Sequence, residues 1–155
     1  MMRKTNIIIG AVVVLSLIFV TAPWAQRGMG PGRDQERGWG TGGAYGRIYN
    51  PQTIETLSGE VVSLDKFIPD RGMSYGVHLT VKTDKETIPV HLGPSWYLDK
   101  QDIKIVPKDQ VQVTGSRVTF EEKPAIIAAE VKKGDKVLKL WDRAGVPVWA
   151  GQGRR

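Results

Sequence analysis

The sequence predicts an all-β domain, a small closed barrel with one short helix. From Tyr49 onward, short segments alternate apolar and polar residues, and Gly- or Pro-bearing turns separate them. The first, "TIETLSGEVVSLDKF", places Ile54, Leu57, Val61, Leu64 and Phe67 along one long strand that a bulge or the glycine at Gly59 bends. "IPDRG" is a turn by composition. "SYGVHLTVK" and "ETIPVHL" then form a hairpin whose inward parity holds Val77, Leu79, Val81, Ile88, Val90 and Leu92. "GPSWYLDKQ" is the helical turn, with Pro94 stopping the strand and Ser95 as its cap. "DQVQVTGSRVTF", "PAIIAAEVKK" and "KVLKLWD" resume the strand pattern, and "RAGVPVW" ends the domain near Trp149.

Three strands, a helix and two more strands, followed by a C-terminal hairpin extension, is the order of an OB-fold-like five-stranded barrel. "LSGEVVSLDK", "DQVQVTGSRV" and "AIIAAEVKKGD" resemble its first, fourth and fifth strands, and with the leader they resemble exported bacterial OB-fold (BOF-like) proteins. A weaker resemblance, in "HLGPSWYL", "GDKVLKLWD" and "GVPVW", is to the magnetosome MamS/MamX-type domain and its relatives in non-magnetic bacteria. It spans roughly residues 50 to 149 and implies a domain rather than an activity.

Ahead of the barrel come two other regions. Residues 1–25 carry Arg3 and Lys4, an apolar block from Ile7 to Val20, and small residues at Ala22 and Ala25, the layout of a secretory signal peptide. As a helix that block spans about 21 Å, short of a hydrocarbon core of roughly 30 Å. A cut after Ala22 leaves Pro23 at the new N-terminus, and a cut after Ala25 puts Pro23 where a small residue is preferred, so an uncleaved N-terminal anchor is the alternative. Residues 26–47 contain eight glycines among scattered charges and read as a flexible linker, dispensable for folding. The barrel domain is then 48–150, placed in the periplasm or secreted, with membrane association through an uncleaved N-terminus.

Composition narrows the chemistry. The chain has no cysteine, which excludes disulfides, thiolate metal sites, a cysteine nucleophile and C-x-x-C-H haem attachment. No G-x-S-x-G, H-E-x-x-H or phosphate-loop pattern occurs, so no enzyme activity is expected. The net charge of +6 reads as a solvated surface, with an exported nucleic-acid or polyanion binder as the alternative function. Nucleic acid is an unexpected partner, because only Tyr75 offers an aromatic ring on the outer face of the second and third strands.

The only histidines, His78 and His91, lie across the hairpin. With Asp84-Lys85 as a two-residue loop, Val81 opposes Ile88, Leu79 opposes Val90, and His78 opposes His91. Both imidazoles are then expected on the outward, polar parity beside Thr80, Lys82 and Pro89, either solvated or sharing a metal ion such as zinc or copper. A third ligand is not evident, with Met73, Asp99 and Asp102 within reach. Tyr75, Trp96 and Tyr97 are the candidate ligand or partner contacts, Trp96 alternatively plugging the barrel. The expected function is a non-catalytic adaptor of the cell envelope that binds a small ligand or a protein partner.

Overall fold

The computed structural model describes residues 38–150 and 152. The leader and the first part of the linker lie outside the described residues. Six strands follow in order: β1 Ile54–Phe67, β2 Gly76–Lys82, β3 Thr87–Pro94, β4 Gln110–Phe120, β5 Lys123–Lys133 and β6 Lys136–Lys139. One helical turn, α1 Ser95–Leu98, sits between β3 and β4. The antiparallel order β3-β2-β1-β4-β5-β6 closes into a ring through a parallel β3–β5 pairing. The expected all-β barrel with one short helix is therefore the observed architecture, and the β5–β6 hairpin is its extension.

The alternation that predicts the strands also fills the core. Val77, Leu79, Val81, Ile88, Val90 and Leu92 are all buried, facing Val113, Ile126, Ile127 and Val131 of β4 and β5. A strand face that buries three such residues per strand sets the hairpin register, because a slip by one would turn all of them to water. β1 bends at a bulge between Val61 and Ser63, as its interrupted pattern suggests. Its apolar residues are not equally internal: Val61 is fully buried, Leu57 and Phe67 are half-buried, and Ile54 and Leu64 are exposed. Ser95 opens α1 but makes no capping bond, and Pro94 holds the cap position.

One expectation is corrected. Residues 38–47, read as the end of a flexible linker, pack on the barrel: Trp39 and Tyr45 belong to the core, 1% and 4% exposed. Their glycines permit a tight turn, in which Gly43 N–H donates to the Gly40 carbonyl and Arg47 N–H to the Gly43 carbonyl. Glycine content signals a flexible chain only where no large apolar side chain is available to bury, and two aromatic rings here supply one.

Candidate functional site, an aromatic mouth closed by the chain's own strap

Five segments meet at the open end of the β2–β3 hairpin. The end of β1 brings Phe67, the start of β2 brings Gly76 and His78, β3 brings His91 and Gly93, the end of β4 brings Phe120, and the strap of residues 38–48 brings Trp39 and Tyr45. The register is as the sequence predicts, with His78 opposite His91 and Thr83 N–H donating to the Glu86 carbonyl at the far end. A bulge between Val77 and His78 separates this pair from the last pairs of the ladder.

The environment of the pair differs from the expectation. His78 is partly open to solvent, whereas His91 is 3% exposed and so does not lie on a wet face. The physical reason is the strap, which covers the outward parity of β3 at this position. The Tyr45 hydroxyl lies 2.9 Å from His91 Nδ1 in a buried hydrogen bond, and Phe67 and Phe120 flank the imidazole at centroid distances of 4.6 and 4.8 Å. Burial, and secondarily the neighbouring His78, push the His91 pKa down to about 4. Burial also raises the Tyr45 phenol above its ordinary range. Both groups are therefore neutral at pH 7 and bond as a neutral pair.

As a metal site the pair remains two imidazoles 5.9 Å apart between ring centroids. His91 Nδ1 already bonds Tyr45, and His78 Nε2 faces Asp65 at 3.9 Å. Among the described residues, no group of three His, Asp or Glu side chains is placed to hold a metal ion. Of the reachable third ligands, Met73 lies against Gly38 of the strap. Asp99 instead lines an apolar cleft with Leu64, Leu98 and Ile103, and Asp102 lines a separate cleft with Lys133 and Lys136.

The other candidates divide. Tyr97 is buried and donates through its hydroxyl to the Lys139 carbonyl at 3.3 Å. Trp96 is half-buried against the core, with the Lys100 ammonium 5.8 Å from its ring centre. Tyr75 is 55% exposed and Ile68 52%, both on the β1–β2 loop that joins Phe67 to Gly76.

Two glycines explain how the strap fits. A Cβ on Gly76 would lie 2.5 Å from Trp39, and a Cβ on Gly93 would lie 2.7 Å from Trp149. Each indole occupies the space that a side chain on β2 or β3 would fill, and the two are tied together by Trp149 Nε1–H donating to the Trp39 carbonyl at 2.9 Å. Trp39 Nε1–H in turn donates to the Ser74 hydroxyl at 3.1 Å. Sequence reasoning missed Trp39, Tyr45, Phe67, Phe120 and Trp149 as partners of the histidines. Two signals were present: aromatic rings in a segment otherwise of disordered composition, and glycines at matching ends of paired strands, which mark the close approach of another group.

The family model of the MamS/MamX magnetosome protein family matches residues 53–138, more than half of the chain. The chain belongs to this family. The matched span runs from the start of β1 into β6. Of the motifs carrying the resemblance, "HLGPSWYL" falls wholly inside the span, "GDKVLKLWD" partly, and "GVPVW" beyond it. The strap and Trp149, which close the mouth of this MamS/MamX family member, both lie outside the matched span. No curated protein matches the chain.

Proposed function

We propose that this member of the MamS/MamX family is a non-catalytic, magnetosome-associated, exported module of the cell envelope that acts as a binding adaptor. Kinship with exported bacterial OB-fold proteins is part of the same reading, supported by the closure of β1 to β5 and by the helix that lies between β3 and β4 in the chain. The observation that carries the adaptor role is the mouth. There the exposed Ile68 and Tyr75 follow Phe67 and precede Gly76 in the chain, next to a cluster that groups Phe67, His91 and Phe120, the composition of a recognition surface.

Three of the described cations are already engaged by carboxylates and are lost to the polyanion reading. Arg117 bonds Glu55 and Glu86, Lys133 bonds Asp109 at 2.7 Å, and Lys132 lies 3.4 Å from Glu130. Cations already neutralised by neighbours add little to phosphate binding. The test is retention of envelope components on immobilised full chain. A protein partner that stays bound in 0.5 M salt (about a 4 Å Debye length) and is lost on Tyr75→Ala supports the adaptor. Retention only of anionic polymers, released by that salt, overturns it in favour of the polyanion reading.

A further inference from the structure

We infer that the aromatic mouth is a peptide-binding site, and that its ligand class is a glycine-spaced segment bearing one indole and one phenol. In this structure the site is filled in cis by the chain's own strap. The inference rests on the adaptor reading and names the chemistry of the partner and the means by which the site is held closed.

The strap has the character of a docked peptide. Its backbone hydrogen bonds, from Gly43 to Gly40, Arg47 to Gly43 and Ile48 to Tyr45, are internal to the segment, and it takes no part in the strand pairings of the barrel. It is held instead by its two large side chains. Trp39 enters the slot over Gly76 and bonds Ser74, and Tyr45 enters between Phe67 and Phe120 to bond His91. The Trp149 indole adds one bond to the strap backbone. Anchor pockets for two separated side chains and few backbone pairings describe a site for a segment that can leave and be replaced.

Each requirement of the site restricts the ligand. The slot over Gly76 has the volume of an indole because β2 gives up a side chain there. The neutral His91 recognises a hydroxyl, which can donate to or accept from Nδ1, rather than a charged group. Small residues between the two rings are needed for the turn, since Cβ atoms on Gly43 and Gly46 would collide with the carbonyls of Gly38 and Gly40. A peptide without an indole, a hydroxyl-bearing ring and small residues between them does not meet these requirements.

A tethered occupant competes at an effective concentration in the millimolar range. Hence a free peptide binding the open site in the micromolar range should bind the intact chain at least about tenfold more weakly. The experiment uses the full chain and a fluorescent peptide with the sequence of residues 38–47. Anisotropy titrations are run on the parent, on the double variant Trp39→Ala/Tyr45→Ala, and on Tyr45→Phe, each checked for folding by circular dichroism. The expected result is tighter binding to the folded double variant by at least about tenfold, lost when the peptide's tryptophan is replaced by alanine. Tyr45→Phe, which keeps the packing but loses the bond to His91, should show a smaller gain of the same sign and serves alone if the double variant does not fold. Equal affinity for parent and folded variants, no binding to any folded variant, or no dependence on the peptide's tryptophan would each overturn the inference. The adaptor reading is judged separately by the salt-resistant, Tyr75-dependent partner, so one can fail without the other.

Discussion

At the turn end of the β2–β3 hairpin, Thr83 holds the loop by accepting from the N–H groups of Lys85 and Glu86 and donating to the Glu86 carbonyl, and every side chain faces the way its parity dictates. At the open end of the same two strands, the ladder carries a bulge, and an outward-parity histidine is buried under a segment that precedes the barrel in sequence. From the His78–His91 pair to the Lys82–Thr87 pair the ladder is continuous. What differs is the material across the polar face: solvent over the exposed Lys82 and Thr87 near the turn, a folded strap at the mouth. Local alternation decides orientation at both ends, but it decides burial only where nothing else arrives.

The sharpest way to break this contrast is to remove the strap. A chain beginning at Ile48 loses both Trp39 and Tyr45 and should fall in stability by more than Trp39→Ala alone, which costs about 3–5 kcal/mol for deletion of a buried aromatic ring. Chemical denaturation of the three proteins checks it, and an unchanged midpoint on truncation would return residues 38–47 to the status of a tether.

Next in size is a pH effect confined to the mouth. His91 titrates near pH 4 when folded and near the ordinary histidine value of about 6.5 when unfolded. Between these values the unfolded chain holds the extra proton, so stability falls as pH drops through this window, by about 3 kcal/mol, and the contribution levels off below it. The groups facing His91 are His78 and Tyr45, with Asp65 behind His78. His91→Phe should flatten the parent's stability profile over this window. If parent and variant profiles run parallel, His91 is not buried as described.

Tyr45→Phe isolates the hydrogen bond from the packing. It should cost about 2 kcal/mol by leaving His91 Nδ1 buried without its partner. The smallest effect is expected at the turn end. Thr83→Val removes hydroxyl bonds that are replaced by water, and should cost roughly 0.5–1 kcal/mol with no change in the pH profile between about 4 and 6.5. A larger loss there than at Tyr45 would reverse the ranking of the two ends.

Periodicity, turn chemistry and element order were sufficient to read the barrel, its one helical turn, the hairpin register and the inward core of β2 and β3. These depend on interactions between residues near in sequence, or on which face of a strand is apolar, and both are written in the local pattern. Only the tertiary structure decided the surroundings of the histidine pair. The strap that buries His91 is separated from it by 46 residues, and its composition taken alone describes a linker. The two clues on opposite sides of that contact, Trp39 and Tyr45 among glycines and Gly76 and Gly93 at the strand ends, have meaning only together. A slot and the ring that fills it are each invisible until the chain is folded back on itself. Burial is a property of what lies within a few ångströms, and for His91 those neighbours come from β1, β4 and the strap at once.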